Sequence, residues 1–229
     1  MLDIIETDLR LVAMVMIAAS IVQIMRASIM VYAAILTVLF LKKKLYRHHL
    51  ASLITILFGV VLVGIAAYTA PGDSYSVIYS GKDIAIGIIL LQVGEFMGAW
   101  QHIFEERYLQ GCESLDPMIV VGYEGLWGGL VQIIILIIFQ NIPCTANSSI
   151  CANGRIEDSI GIMEDYAANP ILIWQSIAMI LLGTALNISG VAIIKYGSAV
   201  QRTTVDLSKN VLIWIYFMFV PIDVWNPST

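Results

Sequence analysis

The sequence predicts an all-α membrane protein, a polytopic helical bundle of about seven transmembrane helices, on three observations. First, 59% of its 229 residues are hydrophobic and only 13% are charged, whereas soluble domains carry about 25% charged residues. Second, mean hydropathy is +0.85, and the apolar residues fall in runs of the roughly 20 that a helix needs to cross a bilayer. Third, the runs lack the period-2 alternation of a membrane β-barrel, and helices and closed barrels are the only backbones that satisfy themselves in lipid.

In chain order, a short segment near 3–18 carries Asp3, Glu6, Asp8 and Arg10 in its first turns. Full-length spans follow at 21–41, 49–70, 83–106, 118–139, 170–194 and 203–220. The leading "LDIIETDLR" is acidic where a cleavable signal is basic, so insertion is expected to use the helices themselves. The net charge of −5 argues against a nucleic-acid partner.

Two signals set the expected orientation. Arg10, Lys42, Lys43, Lys44, Arg47, Arg107, Lys195 and Arg202 lie in the N-terminus and alternate connections, whereas the others hold only Lys82 and Arg155. By the positive-inside rule the 42–48 loop is cytoplasmic. The 140–169 loop is then lumenal, and it carries Cys144 and Cys151 flanking the glycosylation triplet at Asn147. A Cys144–Cys151 disulfide is the expectation, with free thiols as the alternative. Cys112 reads as a free cysteine. The other triplet, at Asn187, lies inside a span.

An ionised residue at mid-bilayer costs about 2.5–3.5 kcal/mol, so it pairs or faces water. Gln23 and Arg26 sit one turn apart in the 21–41 span. Gln92, Glu95, His102 and Glu106 share a face of 83–106, and Glu124 lies two turns into 118–139. Arg202, Asp206 and Lys209 stack along one face at the start of 203–220. Arg26 and Asp206 either form a structural salt bridge or line a solute path. Glu95, near mid-span, is either protonated and hydrogen-bonded to a neighbouring helix or a proton-coupling group. Glu106 and Arg202 are expected at the headgroups. Gly94 with Gly98, and Gly125 with Gly129, form GxxxG pairs expected to be packing seams. No GxSxG, HExxH, CxxC or P-loop is present, so neither an enzyme, a metal site nor a cofactor is expected.

The ordered segments "QIMRASIMVYAAILTVLFLKKKL", "FEERYL", "GYEGLWG" and "NISGVAIIKYGSAVQRTTVDLSKNVLIW" resemble the solute carrier 35 family, F-type members in particular. That family lies in the drug/metabolite transporter superfamily, with EamA-like and nucleotide-sugar-transporter-like relatives. The resemblance matches Gln23 and Arg26 to the family's fourth helix and Glu105 and Glu106 to the end of its sixth. Gly122, Glu124 and Gly125 match its seventh, and Asn187, Gly190 and Lys195 its eighth. Ser198, Ala199, Arg202, Asp206 and Lys209 match the start of its ninth. It implies helices three to nine of a ten-helix fold, an incomplete inverted repeat made of 1–109 and 117–229, and a chain truncated at both ends. Glu95 departs from the amide more common in these relatives.

The expected function is secondary transport of a polar, anionic organic solute by alternating access. Its site would draw on Gln23, Arg26, Glu95, Glu124, Asn187, Arg202, Asp206 and Lys209. The alternative is a non-transporting membrane subunit or truncated remnant completed by partner helices. The expected partners are the lipid bilayer, the solute and either a second copy or a partner subunit. The expected location is an endomembrane: Golgi, lysosome-like or vacuolar.

Overall fold

The longest helix, α5 (Gly81–Gly111), is the post around which the others assemble. In the computed structural model, residues 2–17, 19–44, 46–69, 81–111, 115–143 and 159–219 are described. Their helices are α1 (Leu2–Met16), α2 (Ala19–Met25), α3 (Ser28–Leu41), α4 (Arg47–Thr69), α5, α6 (Pro117–Asn141), α7 (Ser159–Ala168), α8 (Pro170–Tyr196) and α9 (Ala199–Phe219). Stretches of five, within α2–α3, α4, α5, α6 and α8, are long and apolar enough to cross a bilayer. They correspond to the first five expected full-length spans, with ends shifted by a few residues.

Three elements differ from expectation. The 21–41 span is interrupted at Arg26–Ala27, where Ala27, Ile29 and Met30 donate to carbonyls three residues back. This tightened turn keeps the backbone satisfied without proline or glycine. Second, α9 is helical across most of 203–220 but is not among the five, because any membrane-length window within it contains Arg202, Asp206 and Lys209. Third, the 140–169 connection, a loop by its sequence, holds α7. Gln140 accepts from the Ser159 backbone N–H at 2.8 Å, and the Tyr166 and Ser176 hydroxyls lie 2.8 Å apart, tying α7 to α6 and α8.

Helix ends follow local chemistry. Asp116 caps α6 by accepting from Met118 N–H at 2.8 Å, with Pro117 in the first turn where no donor is needed. Proline also opens α8. At its other end, the Gly197 N–H donates to Ile193 O at 2.8 Å, and Ser198 Oγ accepts from Gln201 N–H as α9 begins.

The most extensive contact is between α1 and α5. It depends on small residues: a Cβ at Gly94 would lie 3.3 Å from the Glu6 carbonyl oxygen, and one at Gly87 2.7 Å from Ile17 Cγ1. One at Gly98 would overlap the Glu6 carboxylate. The expected Gly94/Gly98 seam is therefore the α1 seam. By contrast, Gly125 and Gly129 meet nothing within 4 Å, so this pair makes no seam within the described residues. Ala13, Met16, Val22, Met25, Val60 and Leu91 form an apolar core at one end of the bundle. Ile29, Ala33, Leu36, Ala99, Ile103 and Ala199 join α3, α5 and α9 nearby. Most of the large apolar side chains of α4, α6 and α8 point outward, as lipid-facing helices require.

Candidate functional site

Two adjacent carboxylates near the end of α5 set the position of α9. Glu106 is fully buried; it accepts from the Ala199 backbone N–H at 2.8 Å and from Lys43 Nζ. It thus places negative charge at the N-terminus of α9, where the free N–H groups and helix dipole favour it. Glu105 accepts from Arg202 Nη1 at 3.1 Å and from Gln101 Nε2 at 2.8 Å. Gln110, one turn further on, donates to Ile194 O at 3.2 Å and Gly197 O at 2.9 Å, holding the end of α8. Glu106 and Arg202, expected at the headgroups, are thus buried against other helices rather than free on the outer surface. Charge pairing with the α9 terminus and with Glu105 draws both into the bundle.

With α9 so held, a cavity of about 480 Å³ opens between the 1–109 and 117–229 halves. Arg26 and His102 line it from one half, and Asn187, Arg202, Asp206 and Lys209 from the other. Arg26 stands at the α2–α3 interruption with Glu95 behind it, Nε to Oε1 3.5 Å. Glu95 is 0% exposed, and neither of its oxygens has a hydrogen-bond partner among the described residues.

Of the two alternatives for Arg26 and Asp206, the salt bridge does not form. Asp206 is satisfied within its own helix, by Lys209 Nζ at 2.8 Å and Arg202 Nε at 3.8 Å; these spacings of three and four put the groups on one face. Arg26 and Asp206 nevertheless line the same cavity. Arg202 also donates to Asn187 Oδ1 at 3.1 Å.

Three of the sequence-derived residues do not line this cavity: Glu95 behind Arg26, Glu124 and Gln23. Glu124 lines an adjoining groove of about 770 Å³ between α1, α6 and α8, which shares Asp3, Gly183 and Asn187 with the first cavity. Gln23 lines no described cavity, and its buried Oε1 has no partner among the described residues. Cys144, Cys151 and Asn147 lie outside the described residues.

The sequence reading did not place α1 at the site. Asp3, Glu6, Thr7 and Arg10 form the remaining polar wall, with Arg10 Nη1 donating to Glu6 at 2.8 Å. Their spacing of three and four was the available signal, since it puts all four on one helical face. Glu105 was likewise visible only as half of an acidic pair.

Gly190 tests how tightly Arg202 is seated. A Cβ there would fall 2.8 Å from Arg202 Nε and 2.9 Å from Cζ. That guanidinium is held on two sides, so it can yield only by losing Glu105 or Asn187. Gly190→Ala is expected to cost about 1–3 kcal/mol by overpacking, read as a lower unfolding midpoint in detergent.

Sequence comparison finds relatives over nearly the whole chain. Over 230 residues, 98% of this chain, it is 26% identical to solute carrier family 35 member F6 of Rattus norvegicus. The Homo sapiens protein of that name is 26% identical over 217 residues. The chain is similar over nearly its whole length to F-type solute carrier 35 proteins. An uncharacterized protein of Schizosaccharomyces pombe is 28% identical over 225 residues, covering 98% of this chain and 66% of that protein. The chain spans 59% of the length of the rat protein and 56% of the human one. No family model and no solved structure matches it. Its membrane-length apolar helices and its solute-carrier relatives make it an integral membrane protein.

Proposed function

We propose that this chain is secondary-transporter-like and moves a polar, anionic organic solute by alternating access. The observation that carries the reading is Arg26. Among the cations lining the cavity between the two halves, its guanidinium alone makes no hydrogen bond within the described residues. An arginine fork left free on a cavity wall suits a carboxylate or phosphate, which it can bind bidentately. Arg202, Asp206 and Lys209 then form the opposite wall, where ion pairs within α9 can exchange partners as the halves rock. Asn187 adds a polar group that orients the solute, and Glu124 serves the adjoining groove.

The test is counterflow into proteoliposomes with a panel of organic anions. The chain should exchange at least one of them, and the combined Arg26→Ala and Asp206→Ala variant should lose about tenfold or more, each tenfold being about 1.4 kcal/mol. Unchanged exchange by the variant would refute the reading. On the orientation proposed from the lysines and arginines, Asn147 should carry a glycan in an endomembrane, seen as a mass shift on glycosidase treatment.

A second reading, a membrane subunit completed by partner helices or a second copy, is favoured by the open Gly125 and Gly129 face of α6. Migration as a discrete larger assembly in native gels, without solute movement, would select it.

A further inference from the structure

The charge balance around Glu95 carries a consequence for what moves with the solute. Glu95 is completely buried and does not line the cavity; Arg26, with 23% of its side chain exposed, stands between them. Both Glu95 oxygens lack hydrogen bonds, so the 3.5 Å contact with Arg26 is its one ion pair among the described residues.

The other groups around it are committed. From α1, Glu6 and Arg10 are paired with each other at 2.8 Å. From α3, the Tyr32 hydroxyl donates to Gln92 at 3.0 Å, and two turns beyond Glu95 on α5 His102 lies 3.8 Å from Glu105. α4 has no carboxylate or cation between Leu50 and Thr69, and Lys195 is the one charge of α8, at its end. On α9, Arg202, Asp206 and Lys209 pair among themselves or with Glu105.

We propose that Arg26 is shared between Glu95 and the anionic end of the solute, so that each solute anion bound is matched by one proton taken up on Glu95. This inference rests on the anion reading above. When an anion engages the guanidinium, Glu95 loses its counter-charge in a site where an unpaired carboxylate is strongly disfavoured. The proton comes from hydronium in the cavity water and forms an O–H bond on a Glu95 oxygen, while Arg26 stays protonated throughout. A monoanion and a proton enter together with no net charge, which suits a site within the bilayer. Release on the other side reverses both events, restoring the Arg26–Glu95 pair.

The probe is sulfate, which does not titrate near neutral pH, added to the purified full chain in weak buffer with a pH indicator. At an alkaline pH where Glu95 is ionised beforehand, wild type should take up about one proton for each sulfate bound. Glu95→Gln should bind sulfate without proton uptake, and Arg26→Ala should lose the binding. Infrared difference spectra of the wild type should show a carboxylic-acid carbonyl band on sulfate addition, a readout that does not depend on the variants folding. Sulfate binding to wild type with neither proton uptake nor that band would overturn the proposal, as would equal uptake by a folded Glu95→Gln variant. Failure of the wild type to bind sulfate at all would instead overturn the anion reading itself, and this inference with it.

Discussion

Replacing Glu106 by alanine is expected to destabilise the bundle by about 3–5 kcal/mol, the range for breaking a buried charged interaction by removing one partner. The carboxylate has no exposed surface and joins three parts of the chain: Lys43 after α3, its own position on α5, and the Ala199 N–H at the start of α9. Its loss leaves that N–H without an acceptor inside the bundle and removes the negative charge facing the α9 dipole. Lys43 can turn to solvent, since 45% of its side chain is already exposed, so Lys43→Ala should cost much less than Glu106→Ala. Glu106→Gln should fall between, keeping an acceptor but losing the charge. Unfolding midpoints of the three purified variants in one detergent give the comparison. Equal midpoints for Glu106→Ala and wild type would show that α9 does not depend on this clamp.

The second large effect is expected at the α1–α5 seam. Gly94 and Gly98 let α1 approach until the Glu6 backbone and carboxylate occupy the space a side chain would need. Gly94→Leu or Gly98→Leu must push α1 away, at about 1–3 kcal/mol for overpacking alone, and the double change should approach the sum or exceed it if α1 detaches. The consequence reaches the cavity, because Asp3, Glu6 and Arg10 are carried on α1. The same substitutions at Gly125 and Gly129 meet open space and should leave the midpoint of the isolated chain nearly unchanged. Detergent unfolding of both pairs, side by side, checks the contrast.

Much of this architecture was legible in the amino-acid pattern because lipid imposes simple rules. Five apolar stretches of membrane length appear as helices close to where hydropathy places them. What the pattern could not give was partner choice. Arg26 and Glu95 look unpaired along the sequence, and only packing brings them together; Asp206 has Arg202 and Lys209 on its own face, and packing decides that it keeps them rather than meeting Arg26. Glu106 looked like a headgroup residue because it lies near a span end, and the helix terminus that captures it comes from 93 residues later in the chain. The interruption at Arg26–Ala27 carries no proline or glycine to announce it. Likewise, two GxxxG pairs are indistinguishable in sequence, yet one packs on α1 and the other on nothing within the described residues.

Cysteine accessibility in membranes tests most directly whether the buried charges surround water rather than facing hydrocarbon. With the three native cysteines, Cys112, Cys144 and Cys151, replaced by serine, single cysteines are introduced at Leu207, on the cavity wall beside Asp206, and at Leu181, 66% exposed on the outer face of α8. A hydrophilic maleimide should label Leu207→Cys, and Arg26→Ala should alter the rate. The Leu181→Cys variant should stay unlabelled until the membrane is dissolved. Labelling at 181 with protection at 207 would mean that Arg26, Arg202, Asp206 and Lys209 do not share a wet interior.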